Sequence, residues 1–93
     1  MKNYLVSYDL NAEGQDYESL INAIKSYSNV VSVLKSVWFI QSNLSATTIR
    51  EALLQHMDNN DYLIVLEITR GNGALYLDES KVRALSHYGY NYR

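Results

Sequence analysis

Tyr62-Leu63-Ile64-Val65-Leu66-Glu67-Ile68-Thr69 is the clearest strand in the chain. Aromatic, aliphatic and β-branched side chains fill every position but Glu67, the composition of a pleated, largely buried surface. Asp58-Asn59-Asn60-Asp61 supplies a turn before it, and Arg70-Gly71-Asn72-Gly73 breaks it. Immediately upstream, Ser45 is placed to cap a helix whose apolar face is Ala46, Ile49, Ala52, Leu53 and Met57. Further back, Val30 to Leu34 and Val37 to Ser42 are rich in Val, Ile, Phe and Trp. They read as two strands of a hairpin turning near Lys35-Ser36, or as one long bent pair. The turn has neither Gly nor Asn, so it does not set the register.

A second helical stripe precedes the hairpin. Tyr17, Leu20, Ile21, Ile24 and Tyr27 recur at helical spacing, with Asp16 as the expected N-cap and Ser28-Asn29 as the stop. Tyr4 to Leu10 reads as the first strand, buried on both faces, and Asn11 to Asp16 as a loop turning around Gly14. Beyond Gly73, Ala74 to Leu77 reads as a short fifth strand. Glu79 to His87 reads as a last helical piece with Val82 and Leu85 inward.

The order β-α-β-β-α-β predicts an α+β fold, a ferredoxin-like sandwich. Its four-stranded antiparallel sheet would carry two helices on one face. The whole chain, residues 1–93, is expected to be one domain, with a core over about 3–70 and a C-terminal extension over 71–93. The strands are apolar on both faces, so some of Leu63, Val65, Trp38, Ile40, Tyr4 and Tyr8 are expected to point away from the helices. An exposed patch of that kind predicts an interface, and a homodimer is the simplest way to bury it.

Bulk composition narrows the function classes. At 47% hydrophobic and 19% charged, with four glycines and no proline, the chain has globular usage. The absence of cysteine excludes disulfides, thiolate metal sites and cysteine nucleophiles. The opening Met1 to Asp9 lacks the apolar run of a signal peptide, and no stretch approaches a membrane span, which together predict a cytoplasmic protein. Net charge is −2. Residues 1–69 hold four bases against eight acids, whereas residues 70–93 hold four bases against two acids. Strong non-specific nucleic-acid binding needs clustered Lys and Arg, so the charge disfavours that partner.

Three stretches carry a family resemblance: Tyr8-Asp9-Leu10 ending the first strand, Ser36-Val37-Trp38-Phe39 in the third, and Asn60-Asp61-Tyr62-Leu63-Ile64-Val65 opening the fourth. In their order and spacing the chain resembles the second CRISPR-associated protein family, small metal-dependent nuclease-like dimers of ferredoxin-like fold. It is more similar still to a related group of small bacterial proteins labelled SinR-like, which Gly14-Gln15-Asp16-Tyr17 fits particularly. The resemblance spans about residues 3–70. It implies that Asp9 is the catalytic and metal-binding residue, one copy from each protomer lying near the dimer axis. Two carboxylates plus waters would hold Mg²⁺ against a phosphate. It also implies a second possibility, since members act as non-catalytic scaffolds. The pattern departs after the aspartate: where the family has bases, Asn11 to Glu18 carries Glu13, Asp16 and Glu18.

Each candidate has a plainer reading. Asp9 is a metal ligand, or a strand-end residue bonding turn N–H groups. Glu13 and Asp16 complete an acidic cluster with Asp9, or are a loop charge and a helix cap. Asp58 and Asp61 read as turn residues. His56 and His87 are the two imidazoles available for acid–base work, and no nucleophile elbow, P-loop or zinc pattern accompanies them. The tail Tyr88-Gly89-Tyr90-Asn91-Tyr92-Arg93 could stack on unpaired bases, but docking on its own domain or on a protein partner is the favoured reading. The expected function is therefore a small dimeric interaction or scaffold module. The alternative is a metal-dependent phosphodiesterase, either an endonuclease or a toxin-type ribonuclease like virulence-associated protein D.

Overall fold

The computed structural model describes residues 1–11 and 17–92. Its elements are β1 (Lys2–Asp9), α1 (Glu18–Lys25), β2 (Ser28–Leu34), β3 (Val37–Ser42), α2 (Ala46–Leu54), β4 (Tyr62–Ile68) and α3 (Glu79–His87). The Gly14 turn, Glu13, the Asp16 cap and Arg93 lie outside the described residues. The fold is α+β, with three helices and one antiparallel sheet in the order β2-β3-β1-β4. The decisive strand, β4, sits at one edge and pairs with β1 from Asn3↔Ile68 to Asp9↔Tyr62.

Local chemistry sets the element ends. Ser45 Oγ accepts the Thr48 N–H at 3.2 Å, the expected cap of α2. Ile49 and Leu53 are its fully buried positions, while Ala52, expected on the same face, is exposed. β2 starts directly after α1, two residues earlier than its Val-rich run. Asn29 makes that entry with φ +53, a left-handed conformation that Asn tolerates better than other side-chain-bearing residues. The register between β2 and β3 slips there and again between Ser32 and Leu34. β2 and β3 are thus two strands of a hairpin, closed by Lys35-Ser36.

Two apolar clusters sandwich the sheet's strands. The first joins Leu20 and Ile24 of α1 and Ile49 and Leu53 of α2 to Tyr4, Val6, Trp38 and Ile40. All six residues expected to include the away-facing ones belong here, because Tyr8, Leu63 and Val65 also pack against this cluster. Strand alternation tells which residues share a face, but not which face the helices take when both are apolar. The polar tips inside are satisfied: Trp38 Nε1 donates to Tyr8 Oη at 3.2 Å and Tyr4 Oη donates to the Leu44 carbonyl at 2.7 Å.

The second cluster is built by the C-terminal segment. Leu85 of α3 and Tyr90 bury themselves with Phe39 and Val33, and Leu5, Val37, Ile68, Leu75, Leu77, Tyr88 and Tyr92 pack around them. Phe39 stacks on Tyr88 at 5.3 Å and meets Tyr90 edge-on at 5.6 Å. Residues 74–77, expected as a fifth strand, are not a strand. Leu75 and Leu77 turn into the second cluster while Ala74 and Tyr76 stay exposed, and the Leu75 N–H donates to the Tyr92 carbonyl at 2.6 Å rather than to a sheet edge.

A relay of side-chain hydrogen bonds crosses this face. Asn29 donates to Gln41 (2.6 Å), Gln41 to Asn3 (2.8 Å), Asn3 to Tyr90 Oη (2.9 Å), and Tyr90 Oη to the Ile68 carbonyl (3.3 Å). It ties all four strands to the tail. At Gly89, which follows α3, φ is +96, a conformation that favours glycine, and a β-carbon there would also displace the Arg70 guanidinium.

Candidate functional site

Asp9 ends β1 on the same face as Leu5 and Ser7, opposite Tyr62 of β4. Its side chain is exposed. The hairpin turn abuts this strand end, since the Tyr8 N–H donates to the Ser36 carbonyl at 3.2 Å. The Asp9 carbonyl accepts a long bond from Asn11 Nδ2 at 3.4 Å. The N–H groups of Asn11 and Asp58 are taken by the neighbouring aspartate, and most of the loop after Asp9, whose N–H groups Asp9 was expected to bond, lies outside the described residues.

Asp61 is that neighbour. Read from sequence as a turn residue, it is only 7% exposed. Its Oδ1 accepts the Asn11 N–H at 2.7 Å and its Oδ2 the Asp58 N–H at 2.8 Å. Tyr17 Oη lies 2.9 and 2.8 Å from the two oxygens and donates to the carboxylate. Asn11 and Asn60 reinforce the junction: Asn11 Nδ2 donates to the Asn60 carbonyl at 2.9 Å, and Asn60 Nδ2 returns a bond to the Asn11 carbonyl at 3.3 Å. One carboxylate thereby joins the end of β1, the entry to α1 and the turn into β4. Three protein donors converge on this buried carboxylate, which makes Asp61 an anchor of the junction.

A resident Mg²⁺ would want several oxygen ligands in octahedral array. Among the described residues, no three acidic or histidine side chains are grouped to hold a metal. Asp9 alone does not fit that demand within one chain, and Glu13 and Asp16, the expected completing acids, lie outside the described residues. The two imidazoles are held elsewhere. His56 follows the last turn of α2, its backbone N–H donating to the Leu53 carbonyl, and His87 ends α3 with its ring edge-on to Tyr88 at 5.1 Å. Burial pushes the Tyr27 hydroxyl above its ordinary pKa, and that ring packs in the helix-side cluster.

The feature that sequence reading missed lies beside Asp9. Tyr62, Ile64 and Leu66 occupy alternate positions on β4 and are 67%, 54% and 53% exposed. They share the face that holds Asp9, Ser7 and Leu5, beyond the reach of the C-terminal cover, which stops at Ile68. No described element pairs with the outer edge of β4. The opposite edge is treated differently: Lys81 Nζ of α3 donates to the Val33 carbonyl of β2 at 3.0 Å. The signal was present as Ile64 and Leu66, but the alternation alone does not say where the tail ends. Among the described residues no helix is long and apolar enough to cross a membrane.

Asp9→Asn is expected to shift the unfolding free energy by less than about 0.5 kcal/mol, as surface substitutions away from partnered groups do. Urea titration of both proteins checks this, and a loss above about 1.5 kcal/mol would make Asp9 a structural residue. No family model, curated protein or solved structure matches this chain.

Proposed function

We propose that the chain is a non-catalytic interaction or scaffold module of ferredoxin-like build, cytoplasmic, and dimeric through β4. The strand order β2-β3-β1-β4 and the shared cluster of α1 and α2 support the ferredoxin-like assignment, with those two helices on one face. The observation that carries the functional reading is the stripe Tyr62, Ile64, Leu66 on a strand whose outer edge is unpaired. Exposed, apolar, edge-strand surface is what proteins cover, by charge or by a partner. Glu67 is the one charge within β4. A second copy pairing along β4 would satisfy the edge N–H and C=O groups and bury the stripe twice by symmetry.

The phosphodiesterase reading is kept as a second one, because Asp9 sits at the end of this same stripe, in register with Tyr62. A dimer through β4 could carry the two Asp9 carboxylates toward each other and supply the ligand that one chain lacks. The acidic balance of residues 1–69 opposes phosphate binding, and this favours the scaffold.

Light scattering at micromolar concentration is expected to give twice the 10.7 kDa chain mass. Ile64→Lys should return the monomer, since a charge in the stripe would be buried unpaired. A monomeric wild type would refute the dimer. Cleavage of single- and double-stranded RNA and DNA with Mg²⁺ or Mn²⁺ is expected to be at background. Robust cleavage lost in Asp9→Asn would replace the scaffold with the enzyme.

A further inference from the structure

Between the second face of the sheet and the C-terminal segment lies a half-open cavity of about 320 Å³. The sheet contributes Leu5, Val37, Phe39 and Ile68 to its walls, and α3 and the tail contribute Leu85, Tyr90 and Tyr92. No charged side chain is among the described residues that line it. Both tyrosine hydroxyls are already engaged: Tyr90 Oη with Asn3 and the Ile68 carbonyl, and Tyr92 Oη with the Gly71 N–H at 2.8 Å. These rings therefore offer the cavity their apolar faces.

Polar atoms enter from one side. Thr69 and Asn72 line the cavity, are exposed, and follow β4 within four residues of one another. They form a polar mouth over an aromatic and aliphatic interior. Folded chains close-pack such space when nothing belongs in it. Here Leu34 lines the cavity yet remains 53% exposed instead of filling it.

We propose that this cavity binds a small neutral hydrophobe of about two aromatic rings, bearing one hydrogen-bonding group that meets Thr69 and Asn72. Size follows from a simple scale: an apolar cavity of about 150 Å³ accommodates benzene, so about twice that volume takes a second ring. Aromatic character follows from Phe39, Tyr90 and Tyr92, whose rings offer stacked and edge-on partners. Neutrality follows from the uncharged lining, because an ion there would lose its hydration with no counter-charge. The site is distinct from the Tyr62–Leu66 stripe and from Asp9, neither of which lines it.

The test uses 2-naphthol as the probe against isotope-labelled protein, followed by NMR. Saturable binding is expected, with shifts centred on Val37, Leu85, Thr69 and Asn72. Val37→Phe fills the cavity from the sheet side and Leu75→Phe from its rim. Each is expected to weaken binding at least tenfold while leaving the signals of α1 and α2 in place. The second variant decides the matter if the first does not fold. Naphthalene, without the hydroxyl, should bind several-fold more weakly, and 2-naphthalenesulfonate should not bind. Shifts centred on Ile64 and Leu66, undiminished binding in the filled variants, or equal binding of the sulfonate would each overturn the assignment.

Discussion

Tyr90→Ala should lower the unfolding free energy by about 3–5 kcal/mol, the range for deleting a buried aromatic ring. Tyr90 is 5% exposed, lies edge-on to Phe39 at 5.6 Å and to Tyr92 at 5.9 Å, and ends the hydrogen-bond relay that begins at Asn29. Truncation removes the ring and leaves Asn3 without its acceptor. It also uncovers Phe39, which is wholly buried. Tyr90→Phe isolates the hydroxyl and should cost about 1 kcal/mol, the net worth of an ordinary hydrogen bond plus some penalty for the orphaned Asn3 amide. Guanidinium denaturation of the two variants beside wild type separates these parts. A loss below about 1 kcal/mol for Tyr90→Ala would mean that the tail is not docked in solution, and with it the wall of the proposed cavity would fall.

Asp61→Ala should cost about 3 kcal/mol, against almost nothing for Asp9→Asn. Hydrogen bonds to a charged group are each worth about 1.5–3 kcal/mol, and truncation would remove the acceptor shared by the Asn11 and Asp58 N–H groups and the Tyr17 hydroxyl. Their effects are coupled, so the total stays below the sum. Asp61→Asn keeps one carbonyl acceptor and should lose roughly half as much. The measurement is thermal unfolding of the three single variants at one pH. If Asp9→Asn proved the more damaging substitution, the two aspartates would have to exchange roles.

The contrast between these aspartates shows where sequence reading stops. Both stand at the junction of a turn and a strand, and both have turn chemistry around them. Asp9 drew attention through the resemblance; Asp61 read only as a turn residue. What separates them is partners 44 and 50 residues away in sequence, Tyr17 and Asn11. No local pattern encodes that. Similarly, Tyr-rich residues 88–92 advertised an interface, and docking on the chain's own sheet was among the favoured readings. That the sheet residue they cover is Phe39 required the fold.

Elements written in local physics were legible in the chain itself. The helical stripes of α1 and α2, the Ser45 cap, the β-branched run of β4 and the break at Gly71 each depend on a residue and its near neighbours, whereas the stop expected at Ser28-Asn29 fell inside β2, α1 having ended at Lys25. From them came the α+β class, a four-stranded antiparallel sheet and the inward Val82 and Leu85 of α3. The tertiary structure alone decided how the two apolar faces of the sheet were allotted. Because β3 carries large apolar side chains on both sides, its alternation admits either assignment, and the choice rests on which long-range contacts bury more surface. Tyr4, Val6, Trp38 and Ile40 went into one cluster with residues of α1 and α2, and Leu5, Val37 and Phe39 into the other with the C-terminal segment. The cover ended at Ile68, leaving Tyr62, Ile64 and Leu66 exposed. A segment's reach across a sheet is a property of three-dimensional packing, and no period in the sequence records it.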